Sequence, residues 1–498
     1  MHFINIKIYL LWLLIIFGTC TTVVAQEDTT RIEHQEDIES NPSPIAPNSF
    51  SLDSLKDIIG DKQLYVRSII IEGNKRTRPA ILLRELPFKE GDSVRLYHLP
   101  EIFAQSKIQI MNTTLFHRAE VFIKNVEDAN IDVGIFVKEK WYIYPIPYVK
   151  PIDRNLNEWL FENSASIQRL DYGIKLNYDN LTGNNDKLRF FLITGYTRQL
   201  LLSYTTPYVD KDMKWGASIN LSLGKTHEIN ATTLNDKQLF IKDTADYIRN
   251  FFKGTVEATY RPAFFTKHFF GFGYNVVRVG DSVLITNPNY FKNGAKKVWY
   301  PEFYYRLLYQ NLDYIPYPTS GHAGELFVTK QGVNSKHNLW QITAKAQGYW
   351  HLGYRTFYNI SALGTVKFPF KQPYYNLPIL GYNDMNLRGY EPYVVDGVAG
   401  GLVNVTLFKQ LTNFSFSIPA FRWLTDRLIP LKIYGKVYGN AGYVYHPEPG
   451  DNRLPNRLLL GGGVGFDLWT VNDFTFKFEF SFNQLGQNGL FLHKKTLF

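Results

Sequence analysis

FTFKFEFSFN, residues 474–483, sets phenylalanine at positions 474, 476, 478, 480 and 482 and places Thr475, Lys477, Glu479, Ser481 and Asn483 between them. Side chains alternate across a β-strand, so one face of this segment is entirely phenylalanine and the other polar and charged. A soluble sandwich produces the same alternation. A phenylalanine-only face set against a face carrying charge fits lipid outside and a wet lumen inside. Looser versions recur at 172–178, 188–195, 199–205, 215–223, 255–261, 303–309, 342–350, 433–438 and 458–468, separated by turn clusters such as LTGNND at 181–186. Roughly 330 residues follow position 168. At about 20 residues per strand and loop they give about sixteen strands, within the range of outer-membrane barrels. Closure would pair the first of these strands, 172–178, with the last, 489–498, and so remove the exposed edges. The fold class expected is an all-β transmembrane barrel of about 16 antiparallel strands, preceded by a small α/β domain.

Composition agrees. The 498 residues include 33 Tyr and 37 Phe, and aromatics make up 16% of the chain. So much aromatic surface is incompatible with disorder in the bulk of the chain. No run of about 18 apolar residues lies beyond the first 25 positions, so a helical membrane protein is excluded. Those first residues read as an export signal: Lys7, an apolar stretch over 8–17, and Val23-Val24-Ala25 before Gln26. The only cysteine, Cys20, lies inside this signal, leaving no thiol for a disulfide or metal in the mature chain. Residues 26–62 read as an acidic disordered tether. Six acids and one arginine fall within 26–50, ending in Asn41-Pro42-Ser43-Pro44. The remainder is basic enough to give the whole chain a net charge of +9. In an exported protein that charge suits anionic headgroups or lipopolysaccharide rather than nucleic acid.

Residues 63–142 have a mixed pattern, and 143–498 are assigned to the barrel. YVRSIIIE (65–72) is a strand closed by Gly73-Asn74. Thr77 is placed to cap a short helix with Pro79 in its first turn, and a second helix spans 99–111. Two strands follow, 119–124 and 131–138. This β-α-α-β-β order, with IIIEGN (69–74), LPFKEGD (86–92) and NTTLFHRAEVFI (112–123), resembles a polypeptide-transport-associated (POTRA) domain. The resemblance implies a turn at Gly91 and helix closure at Leu115-Phe116. It also implies a strand edge offered to extended clients.

A second resemblance rests on residues 373–401, which interrupt the alternation. They contain Asn386-Leu387-Arg388-Gly389-Tyr390 and precede about five expected strands. Arg-Gly-Tyr alone is a common loop tripeptide. In this position it resembles the sixth-loop motif of the BamA/TamA superfamily, whose tip folds back into the lumen. DNLTGNNDKLRF (179–190), LSYTTPYVD (202–210) and the terminal Phe498 resemble the same family. Independently of any family, a guanidinium inside a barrel needs acceptors, which a lumen carboxylate would supply. The resemblance places an acid at the position held here by Asn440, within Tyr438-Gly439-Asn440-Ala441-Gly442, so Asn440 and Glu479 are the expected partners of Arg388. Gly442 is a structural glycine of that pattern.

Enzyme signatures are missing. His227-Glu228 is followed by Ala231, so no HExxH zinc site exists, and neither a GxSxG elbow nor a Walker loop occurs. The eleven histidines do not cluster as metal ligands. No cofactor or metal is expected. The resemblance implies an outer-membrane protein with its POTRA-like domain in the periplasm. It would insert or translocate extended client chains, in contact with lipid, lipopolysaccharide and accessory lipoproteins. The alternatives are a two-partner-secretion type pore for one dedicated partner and a passive porin or surface structural barrel.

Overall fold

The computed structural model describes residues 63–494 except 152–163, 165, 244, 335–336, 383–384, 417–428 and 471–472. The expected signal peptide, tether and Phe498 lie outside the described residues. The amino-terminal part contains β1 (Gln63–Glu72), α1 (Pro79–Leu83), β2 (Ser93–Arg95), α2 (Leu99–Asn112), β3 (Phe116–Glu127) and β4 (Asn130–Glu139). The sheet order is β2-β1-β4-β3, with β1 and β4 parallel. Leu64, Val66, Ile81, Leu82, Leu99, Ile110, Ile131 and Ile135 form its core. The three-residue β2 carries too short a pattern to be read from sequence. Thr77 does not cap α1, whose N-cap is Arg78. Its buried hydroxyl instead meets Tyr142 Oη at 3.0 Å and accepts from Asn180 Nδ2 at 2.9 Å. A tertiary partner has displaced the local one.

Sixteen strands make one antiparallel sheet, hydrogen-bonded in chain order from Asn488–Lys494 at one end to Ile143–Pro151 at the other. Two hairpins, Glu228–Leu234 with Lys237–Lys242 and Pro378–Leu380 with Val395–Asp396, stand outside it. The sheet is inside out relative to a soluble protein. In Thr475–Asn483, Phe482 is 53% exposed while Ser481 is 0% and Glu479 2%. The aromatic row faces outward and the polar row is buried on the inner face, as a β-barrel in lipid requires. No helix among the described residues is long and apolar enough to cross a membrane.

One strand expectation is corrected. The first barrel strand is Ile143–Pro151, and the segment at 172–178 belongs to the second, Leu170–Asp179. Three prolines hide the first strand, because proline normally removes a ladder donor. Here they do no damage. Asp179 N–H donates to Tyr142 O at 2.7 Å, so the even-numbered residues of the strand bond its neighbour while Pro145, Pro147 and Pro151 fall on the other edge.

The small domain is fastened to five turns at one rim of the barrel. Arg78 N–H donates to Gly183 O at 3.0 Å, and Arg84 Nε to Met213 O at 3.1 Å. Asn112 bridges two groups of a single turn, donating to Leu312 O and accepting from Ile315 N–H, both at 3.0 Å. Lys140 pairs with Asp473 at 2.6 Å. The most buried contact is Glu85 with Arg261, bidentate at 2.5 and 2.7 Å, with Tyr208 Oη donating to Glu85 at 3.2 Å. Burial opposes the guanidinium charge of Arg261, but bonding to Glu85 outweighs it and raises the pKa overall.

Removing one partner of such a buried pair strands a charge and typically costs about 3–5 kcal/mol. Arg261→Met should therefore loosen the domain from the rim, read as faster protease cleavage between residues 139 and 143 in a barrel that still migrates as folded. Glu85→Gln added to Arg261→Met should recover part of the loss. Wild-type cleavage in the single variant would show that this pair does not hold the domain.

Candidate functional site

Strands Thr356–Phe368 and Ala399–Phe416 are neighbours in the sheet, yet 30 residues separate them in sequence, and this long loop leaves the far rim and turns back into the lumen. It is the sixth connection at that rim, and five strands follow it. Its apolar residues give the reason for the return. Ile379, Leu380, Leu387, Tyr390 and Val395 bury against Leu363, Leu402, Val444 and Leu459 of the wall and Leu454 of a far-rim loop. Its stem is pinned as well: Lys367 Nζ donates to Asn376 O and Pro378 O, both at 2.7 Å. The hairpin around Asp236 reaches across the rim, where Thr233 Oγ1 donates to Asp396 at 2.5 Å. The Asp236 carboxylate accepts from Arg453 N–H and Leu454 N–H at 3.0 Å.

At the tip, the expected residues meet. Arg388 Nε donates to Asn440 Oδ1 at 2.9 Å, and its Nη1 lies 3.3 Å from Glu479 Oε1. Its Nη2 donates to Thr406 Oγ1 at 3.2 Å, and the guanidinium stacks 3.9 Å over the Tyr438 ring. Asn440 uses both ends of its amide, donating back to Arg388 O at 3.3 Å. Gly389 has φ +92, and a Cβ there would meet Phe482 O at 2.8 Å, so both conformation and space demand glycine. Its carbonyl accepts from Asn483 Nδ2 at 2.6 Å. Tyr390 Oη donates to Leu460 O at 3.2 Å. Gly442 leaves room for Leu387, whose Cδ2 would lie 3.1 Å from a Cβ there.

Thr406, Asn483, Lys436 and Gly461 were not singled out by sequence reasoning as partners of the loop. Asn483 had a signal, since it lies on the polar face of the opening segment. Gly461, within Gly461-Gly462-Gly463, reads from sequence only as close packing or curvature. The packing is against the loop itself: a Cβ on Gly461 would sit 2.4 Å from Arg388 O. Lys436 is the more consequential omission. Its ammonium lies 2.7 Å from Glu479 and 2.5 Å from Asp467, so Glu479 is shared between two cations. Arg388, Lys436, Glu479 and Asp467 balance one another in charge, which is how a buried polar network avoids a stranded ion.

Residues 180–398 match the Omp85 superfamily domain, and residues 64–140 match a POTRA domain described as a surface antigen variable number repeat. The chain thus carries an Omp85 superfamily domain behind a POTRA domain. The matched stretch ends just beyond the Arg388 tip, so the lumen loop lies within it. Among solved structures, the chain resembles CdiB from Escherichia coli, at 14% identity and TM-score 0.51, over 86% of this chain and 75% of that one. It also resembles BamA from Haemophilus ducreyi lacking POTRA domains 1–3, at 16% identity and TM-score 0.48, over 86% and 83%. The CdiB likeness supports the barrel fold. No curated protein matches the chain.

The shared carboxylate makes the variants of this loop lock unequal. Arg388→Ala removes charge-assisted bonds worth about 1.5–3 kcal/mol each, but Glu479 keeps the Lys436 ammonium that it shares with Asp467, so the barrel should fold. The loop tip should become protease-sensitive. Glu479→Ala leaves two cations short of a partner and should lower barrel stability by more than Asn440→Ala, at about 3–5 kcal/mol. Urea titration of the three variants in detergent checks the order, and equal midpoints would contradict the shared-charge reading.

Proposed function

We propose that this protein inserts or translocates β-rich client chains at the outer membrane, receiving them through its POTRA domain and a seam in the barrel. It works without a catalytic centre, cofactor or metal. The domain would stand in the periplasm, the barrel would span the membrane in contact with lipid and lipopolysaccharide, and accessory lipoproteins could attach at the POTRA side.

One observation carries this reading. Among the described residues, the end strands Ile143–Pro151 and Asn488–Lys494 are each paired on one side only, while every other barrel strand has two neighbours. Backbone groups facing lipid strongly prefer a partner, so a strand pair left open at a seam is an acceptor for another strand. The lumen supports the same reading, because Arg388, Tyr390 and the apolar stem of their loop occupy it from the far rim. A passive porin needs an open channel, and a dedicated export pore would have to displace this loop from the Glu479 network before anything could pass.

Deleting residues 63–140 should leave a heat-modifiable barrel in the membrane but abolish client handling. The measurement is the outer-membrane proteome with the full chain, with the deletion and with neither. Loss of several other barrels in the last two supports an insertase. Loss of one secreted protein alone supports the dedicated pore. An unchanged proteome with altered solute uptake supports the porin, and full activity of the isolated barrel removes the POTRA domain from the pathway.

A further inference from the structure

The two edges of the seam differ chemically, and the difference lies in the backbone. In an antiparallel strand, alternate residues direct both N–H and C=O to the same side. The Asp179 to Tyr142 bond fixes the parity of the first strand: Ile143, Pro145, Pro147, Val149 and Pro151 direct their backbone groups to the seam. Proline has no N–H. This edge therefore presents carbonyls throughout but donors only at Ile143 and Val149.

The last strand is different. Asn483 N–H donates to Gln487 O at 3.0 Å, which fixes its odd-numbered residues as bonded to the neighbour Thr475–Asn483. Asn488, Leu490, Leu492 and Lys494 then direct intact N–H and C=O groups to the seam. A strand laid on the first edge would leave its carbonyls opposite Pro145, Pro147 and Pro151 without donors, within or at the border of lipid where each lost bond is costly. A strand laid on the last edge meets a donor and an acceptor at every second residue. Prolines placed along an edge are also a known protection against unwanted strand addition.

Side chains indicate which partner suits that open edge. Leu490 and Leu492 are 72% and 62% exposed on the outer face, and they stand opposite Phe480 and Phe478 of the neighbouring strand. A partner extending the sheet beside them needs apolar residues outward and polar residues inward at period two.

Resting on the seam reading above, we propose that the seam is one-sided: the proline-edged first strand is closed to strand addition, and an extended transmembrane-type β-strand is taken up on Asn488–Lys494. This assigns a polarity to the seam that the pairing of the sheet alone does not.

The test uses full-length protein in detergent micelles, with Cys20→Ser removing the only native thiol. The probe is a synthetic peptide copying residues 474–483, the alternating strand that the last strand already accepts on its other side, with cysteine in place of Phe478. Single cysteines replace Leu490 or Leu492 on one edge, and Ile143 or Val149 on the other. Disulfide capture of the peptide should favour positions 490 and 492 by about tenfold or more, the ratio expected from missing ladder bonds. Pro145→Ala with Pro147→Ala should restore two donors and raise capture at Val149→Cys toward the level at 490. Equal capture at both edges of the proline-bearing protein would overturn the proposal, as would preference for the first edge or capture at neither. None of these results depends on client levels in cells, so the polarity can fail while the proposed function stands.

Discussion

A barrel that turns phenylalanine outward must gather its charge inside, and that inversion governs everything else in this protein. Thr475–Asn483 puts Lys477 and Glu479 on the face that a soluble sheet would fill with leucine. Charges withdrawn from bulk water survive only if paired and hydrogen-bonded. The interior answers with networks rather than isolated pairs: Glu479 serves Lys436 and Arg388 together, and Asp467 serves Lys436 and accepts from Tyr317 Oη at 3.0 Å. The long loop is therefore part of the barrel's electrostatic balance as well as an obstruction in its lumen.

The same principle holds the small domain to the rim. Glu85 lies almost wholly buried, which a carboxylate tolerates only because Arg261 and Tyr208 reach it from two barrel turns. With Asn112, Arg84, Arg78 and Lys140 bonded to other turns, the domain is fixed at several points around one end. At the opposite end, Thr233 with Asp396 and the Asp236 carbonyl with Val394 N–H tie the hairpin to the loop that carries Arg388. Both ends carry hydrogen-bonded structure, and among the described residues the seam is where the sheet itself leaves its strands paired on one side only. Its two sides are unlike because of three prolines, a property of covalent structure that no packing can reverse.

Much of the fold was legible in residue order. Period-two alternation survives in nearly every strand because the sheet meets lipid on one side and polar lumen on the other, so each residue's environment is set by parity alone. The POTRA elements were legible for the corresponding reason, since their helices and strands bury one face against a single core. The first barrel strand was illegible, because Pro145, Pro147 and Pro151 erase the local signal in a strand whose edge position makes them harmless. Thr77 misled in the opposite direction: its local context suits a helix cap, and a partner about a hundred residues away, Asn180, claims its hydroxyl.

By itself, then, the sequence determined the period, the inward and outward faces, the order of domains and the loop that breaks the alternation, because these depend on neighbours within a few residues. It also pointed to Arg388 with Asn440 and Glu479, which the folded chain brings within 3.3 Å. Only the tertiary structure decided that Lys436 shares Glu479, that Gly461 yields space to the loop backbone, and that Glu85 is matched by Arg261. Only it decided which edge the prolines face. Each of these depends on strand register and on contacts across the barrel, where the partners lie tens to hundreds of residues apart and no local pattern connects them.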